Sequence, residues 1–264
     1  MKLRHLLTVL AGAALASLPL SAQTFVGSDN FDSGFNASLW DFTYRLNAAT
    51  QGTLSFTNNR LDFEKAATGV GNQFRLWDSD DTGVANVTAT SFSTGWVMNL
   101  SATNTLGGLS GAEFATVGIQ VFNDNNQYSA LMLSSTSTGY YVRAEGNGFA
   151  AVNTSVVDNT DVRLRLTWDA AAQTLSADYS LDGSSYNSVA TFLPVSQWDN
   201  STNGVANGFN FGVFGNSNTP GAISVGSIYA DNFAVSAIPE PSTYAALAGL
   251  GALGLALWRR RARA

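Results

Sequence analysis

The stretch DVRLRLTWDAAAQTLSADYSLDGSSY, residues 161–186, decides the fold class. Val162, Leu164, Leu166 and Trp168 occupy one phase of a period of two, and Arg163, Arg165 and Thr167 occupy the other. That alternation belongs to a strand with one buried and one solvated face. Asp169 to Gln173 form a polar break, after which Leu175, Ala177, Tyr179 and Leu181 resume the apolar phase. The stretch reads as a β-hairpin whose second strand runs into a further turn at Asp182-Gly183.

The same period recurs on either side. Phe74 and Leu76, then Trp96, Met98 and Leu100, then Val117, Ile119 and Val121 alternate with small or polar residues. Leu54 to Phe63 is a second hairpin centred on Asn58-Asn59, and Asn123 to Asn126 link a third pair. No segment between residues 24 and 238 carries a helical period, and no repeat of fixed length is present. An array of this length predicts an all-β domain built as two antiparallel sheets packed face to face. Trp96 and Trp168 fall on the apolar phase and are expected in its core.

Both ends of the chain differ from this middle. Met1 to His5 carries Lys2 and Arg4, Leu6 to Leu18 is uncharged and largely apolar, and Pro-Leu-Ser-Ala-Gln follows. These are the three regions of a secretory signal, expected over residues 1–22 with cleavage after Ala22. An uncleaved N-terminal anchor is the alternative, for which the apolar run is short. At the other end, Ser242 to Trp258 is an uncharged stretch of 17 residues, about 25 Å long as a helix. Pro239, Glu240 and Pro241 separate it from the sandwich, because the prolines stop a strand. Arg259, Arg260, Arg261 and Arg263 follow it. Positive charge of this kind stays cytoplasmic, so the domain faces outward across a short transmembrane helix at 242–258.

In that order, Pro239-Glu240-Pro241, the short span and the terminal arginines resemble the bacterial PEP-CTERM sorting signal. The resemblance implies an exported protein whose partners are the export machinery and an exosortase, a membrane cysteine protease thought to cut near the Pro-Glu-Pro. The chain would be held briefly in the inner membrane with its C-terminus cytoplasmic, then passed to the cell envelope or the exterior. It also implies that Glu240 and its prolines are recognition elements, in hosts that typically make exopolysaccharide. The chain thus divides into a signal peptide (1–22), a sandwich domain (23–236) and a sorting segment (237–264).

Composition narrows the chemistry. Between residues 24 and 238 seven basic residues face eighteen acidic ones, a net charge of −11. Such a surface repels phosphate backbones, so no nucleic-acid partner is expected. The chain has no cysteine and its one histidine, His5, lies in the signal peptide. Ser-His-Asp and Cys-His mechanisms, the usual zinc and copper sites and disulfides are therefore excluded from the exported domain. Phosphate-binding glycine loops are missing as well.

A second resemblance is carried by SDNFDSGFNASLWDF near the start, by the 161–186 hairpin and by IYADNFAV near the end. Together they resemble a concanavalin A-like, laminin-G-type jelly roll, in which the first and last strands lie close. The tripeptide Asp-Asn-Phe occurs at both ends, at 29–31 and 231–233. That family includes lectins, carbohydrate-binding modules, adhesion domains and glycoside hydrolases. Its laminarinase-like hydrolases carry a Glu-x-Asp-x-x-Glu strand. Here Glu64, Glu113 and Glu145 are isolated, so no enzyme is expected, although aspartates could still converge from loops.

No cofactor is required by any motif; calcium is the one candidate ion. Asp78, Asp80 and Asp81 in WDSDDTG offer hard oxygen ligands beside Gly83, without the spacing of an EF-hand loop. A solvated acidic turn is the alternative. Asp29 and Asp231 form a second candidate pair, equally explained as turn-starting residues. For sugar binding, exposed aromatic rings are the signal, and Tyr140, Tyr141 and Trp198 are the candidates. Adjacent strand residues point to opposite faces, which leaves one of the two tyrosines outside. The expected function is a non-catalytic polysaccharide-binding module, with exopolysaccharide as ligand. The alternatives are a structural or adhesive surface protein and, further off, a glycoside hydrolase or lyase. If the tail is a sorting signal, Glu240→Ala retains uncleaved precursor in the inner membrane, as membrane fractionation and blotting would detect; equal release of mutant and wild type overturns that reading.

Overall fold

Alternation and turn residues resolve into sixteen strands among the described residues of the computed structural model. The structure describes residues 26–36, 39–40, 42–46, 53–65, 72–77, 90–91, 94–124, 127–146, 149–192, 208–238, 249–251 and 253–254. All strand pairs are antiparallel, and they form two eight-stranded sheets. One sheet runs in the order β14 (Asn187–Phe192), β13 (Thr174–Ser180), β12 (Val162–Asp169), β7 (Trp96–Asn104), β16 (Ile228–Ala237), β4 (Arg60–Glu64) and β3 (Thr53–Thr57), with β1 (Val26–Asp29) also paired to β16. The other runs β11 (Phe149–Val156), β10 (Gly139–Gly146), β9 (Gln127–Thr136), β8 (Phe114–Asp124), β15 (Gly208–Ser217), β5 (Asn72–Trp77) and β2 (Phe42–Leu46), with β6 (Thr90–Ser91) on β15. This is the expected two-sheet jelly-roll sandwich.

The hairpin within residues 161–186 is β12–β13, in the register Leu164↔Tyr179 and Trp168↔Leu175. Val162, Leu164, Leu166 and Trp168 are buried and Arg163 is exposed. Leu181 departs from expectation, because it lies past the end of β13 and is exposed. The Asp182 carboxylate accepts hydrogen bonds from Ser184 N and Ser185 N at 2.8 and 2.7 Å, which starts the turn and lifts Leu181 out of the core. At the second hairpin, β3–β4, Asn58 and Asn59 have φ of 53° and 59°. Both central residues are thus left-handed, as a two-residue turn of this hand requires and asparagine tolerates.

Aromatic rings lock the sheets together. Trp96 and Trp168 are cross-strand partners on β7 and β12. Opposite them, β15 supplies Phe209 and Phe211, with edge-on ring centroids 5.0 to 5.1 Å from the two indoles. All four are buried, and each contributes roughly 1.5–3 kcal/mol by leaving water. Further along, Phe63 of β4 lies against Gly215 of β15 so closely that a Cβ at Gly215 would overlap its ring.

The N-terminal segment is pinned to the C-terminal strand. Asp29 pairs with Phe233 in the β1–β16 ladder. Its carboxylate accepts hydrogen bonds from Trp40 Nε1 at 2.6 Å and from Phe31 N at 2.7 Å. Phe31, Trp40 and Phe233 are buried together, with the Trp40 and Phe233 centroids 4.8 Å apart. The doubled Asp-Asn-Phe therefore supplies two core phenylalanines and one buried acceptor.

Lys65 is a different case: it is 4% exposed, yet its Nζ has no hydrogen-bond partner. Burial holds its pKa below the ordinary lysine value, with the charge of Glu113 acting in the opposite sense. At the C-terminal end, residues 249–251 and 253–254 are helical. Among the described residues no helix is long and apolar enough to cross a membrane, and most of the expected 242–258 span lies outside them. Pro239, Glu240, Pro241 and the four arginines also lie outside the described residues.

Because a Cβ at Gly215 would overlap the Phe63 ring, Gly215→Ala should destabilise the domain by about 1–3 kcal/mol, measurable as a lower Tm in thermal unfolding. An unchanged Tm would mean that the phenylalanine ring turns aside freely.

Candidate functional site

The outward face of the second sheet carries a concave surface. Val117, Ile119 and Val121 of β8, Leu131 and Leu133 of β9, and Phe211 and Val213 of β15 all point into the main core. The intervening residues must then face away from it. Among these, Ala130 and Met132 of β9 and Phe214 of β15 form a separate apolar cluster, with Tyr128 packed against it. This cluster floors a groove of about 640 Å³, within the range of small-ligand clefts.

Polar side chains surround that floor. Arg143 Nε donates to Glu145 Oε2 at 2.7 Å, and its Nη1 reaches Asn153 Oδ1 at 3.4 Å. Gln120, Thr116 and Asn216 line the groove as well. Ser134 lies directly across from Tyr141 in the β9–β10 ladder; its Oγ is buried and has no hydrogen-bond partner. One end is walled by the β9–β10 turn and the segment before β8, tied together by Ser137 Oγ donating to Gly111 O at 2.8 Å. Glu113 stands in that wall, with its Oε2 receiving Ser110 N at 3.1 Å.

Of the residues singled out from sequence, the groove takes Tyr141. Its hydroxyl is 2.6 Å from Thr138 Oγ1, which fixes the ring at the groove wall. Tyr140 faces the other way and packs against the main core. Trp198 and the acidic stretch of Asp78, Asp80 and Asp81 lie outside the described residues. Asp29 and Asp231 come onto neighbouring strands, but Asp29 is engaged by Trp40 and Phe31, and Asp231 Oδ1 accepts Asn232 N at 2.6 Å. Among the described residues, no three His, Cys, Asp or Glu side chains are grouped as a metal site would need. The groove floor was not legible beforehand. Ala130, Met132 and Phe214 come from strands far apart in sequence, and apolar residues on the solvent phase carry no periodic signal.

Residues 237–261 match the family described as the PEP-CTERM protein-sorting motif. The tail is a PEP-CTERM sorting motif. It implies export, C-terminal membrane anchoring followed by cleavage, and processing by an exosortase. No curated protein sequence matches the chain. Among solved structures, the CBM2 module of the evolved Dit of Lactobacillus casei BL23 phage J-1 superposes with a TM-score of 0.51 at 9% identity, covering 81% of this chain and 97% of that one. Lectin I-B4 of Griffonia simplicifolia, in its metal-free form, gives 0.50 at 12% identity, covering 83% and 100%. The sorted domain thus shares the lectin-like jelly-roll fold, which does not by itself assign an activity.

Asp231 offers a test of local electrostatics. Burial raises its pKa above the ordinary carboxylate value, with Asp32 and Asp161 adding like-charge repulsion. A carboxyl that holds its proton more tightly when folded gains stability as pH falls through its folded pKa, and costs stability once ionised. Asp231→Asn should therefore raise Tm at pH 7, with the gain vanishing in mildly acidic buffer; a lower Tm at both pH values would mean that the charged form serves the fold.

Proposed function

We propose that the exported domain is a non-catalytic polysaccharide-binding module acting in the envelope or extracellular matrix, and that its ligand lies in the groove over β8, β9, β10 and β15. One observation carries this reading: an apolar floor of Met132, Phe214 and Ala130 beside a fixed Tyr141 ring, ringed by the Arg143–Glu145 pair and by the unpartnered Ser134 hydroxyl. Apolar and ring surfaces suit the CH faces of pyranoses, and fixed donors and acceptors suit their hydroxyls. A buried hydroxyl without a partner costs about 1–3 kcal/mol, so a ligand hydroxyl that bonded Ser134 would recover it. Export implied by the sorting motif supports this reading, because such polymers lie beyond the inner membrane.

The charge pattern of the groove argues for binding rather than cleavage. Among the described residues, its carboxylates are Glu113 and Glu145. Glu113 precedes Phe114, which pairs with Thr136, whereas Glu145 pairs with Ala130. Six residues of β9 separate those positions, about 20 Å along a strand. Glycoside hydrolases hold their two carboxylates about 5–10 Å apart. Glu145 is moreover occupied by Arg143.

Calorimetry of the secreted form with the producing organism's own exopolysaccharide, with and without calcium, tests the proposal. The expected result is saturable binding, unaccompanied by release of reducing sugar and weakened about tenfold or more by Tyr141→Ala. No binding in either condition, or full binding by Tyr141→Ala, overturns the groove reading.

A further inference from the structure

The two sheets end on the same flank in β11 and β14, and these two strands touch each other. An edge strand presents a row of unpaired backbone N–H and C=O groups, which proteins ordinarily blunt with charge, proline or bulges. Neither edge here is blunted by sequence: FAAVNTSV and NSVATF contain no charged residue and no proline. On β11 the register with β10 is regular from Val152 to Val156, and the one irregularity falls nearer the start of the strand. Ala150, Ala151, Val152, Asn153 and Ser155 are exposed, and Val157, just past the strand, is 97% exposed.

We infer that β11 pairs antiparallel with β11 of a second copy of this chain about a two-fold axis, joining the two groove-bearing sheets into one. Geometry, charge and apolar exposure all favour a second copy as the occupant. Antiparallel pairing of a strand with itself matches each free N–H to a free C=O with no other complementarity needed. The domain carries a net charge of −11 between residues 24 and 238, so copies repel over most of their surface and approach best along a charge-free strip. The inward row of β11, Val152 and Thr154, would meet its own β-branched counterparts, a favourable class of cross-strand pair. Val152 and Val157, two of the exposed large apolar residues, lie along this edge. β3 at the opposite margin of the first sheet is only five residues long.

The pairing has a consequence for the groove. Asn153, which lines it, sits on β11 itself, so the two grooves of a pair would abut margin to margin. A polymer lying across both would be held at two sites, with the second engaged at high effective concentration. That consequence rests on the proposed groove function; the pairing does not, and is measured without any ligand.

The absence of cysteine from the chain makes the test clean. In the full-length protein exported by its own cell, single substitutions Ala151→Cys, Val152→Cys, Thr154→Cys and Ser155→Cys are compared with Thr191→Cys on β14. A disulfide can then form only between copies, and only where Cα atoms lie within about 7 Å. Dimers on non-reducing gels at one or two neighbouring β11 positions, and none at Thr191→Cys, are expected. No β11 dimer, or equal dimer at Thr191→Cys, overturns the inference. Light scattering of the secreted form provides a second arm: wild type should be dimeric, and Val152→Lys monomeric while still unfolding in one cooperative transition. A monomeric wild type, or a Val152→Lys variant that stays dimeric, also overturns it.

Discussion

The sandwich depends on the contact in which Trp96 and Trp168 meet Phe209 and Phe211 across the gap between the sheets. These four rings bury a large apolar area in one place, and they belong to strands near the middle of their sheets. Side chains in a strand alternate, so seating these rings fixes which residues of β7, β12 and β15 point inward; a slip of one residue would turn each set out to solvent. The outward face of β15, with Phe214, follows from the inward seating of Phe211 and Val213. The groove is therefore a by-product of core register and needs no separate scaffold.

A second dependence runs through β16. This strand lies between β7 and β4 and also holds β1, so the first sheet stays in two pieces until residues 228–237 are in place. The chain that leaves it is still anchored one residue on, where Ile238 N donates to Gly95 O at 2.7 Å. The sorting motif begins at residue 237. A central structural strand and a sorting signal are thus contiguous, with no spacer between them.

Local features of this architecture were legible in the sequence, and the assembled ones were not. The hairpins at 54–63 and 162–180 announce themselves because alternation and turn chemistry are properties of neighbouring residues. Leu181 shows the limit of that reading: its phase is right, but the Asp182 turn ends the strand first. Sheet order is a non-local matter, and nothing in the sequence says that β15 will lie between β8 and β5. For the same reason Tyr141 could be singled out, whereas Ser134 and the Met132–Phe214 floor could not. Neighbouring ends were implied by the jelly-roll resemblance, and the structure uses the repeated Asp-Asn-Phe in packing Phe31 and Phe233 against Trp40.

Lys65 has a chemical consequence beyond its effect on packing. It is the only lysine between residues 23 and 264, and it is buried. The sandwich therefore displays no side-chain primary amine to its surroundings. Reducing sugars and aldehydes, which attack exposed lysines and slowly cross-link proteins that dwell among polysaccharides, find almost nothing to react with on this domain. Amine-directed dyes and fixatives should be nearly blind to it for the same reason, until it unfolds.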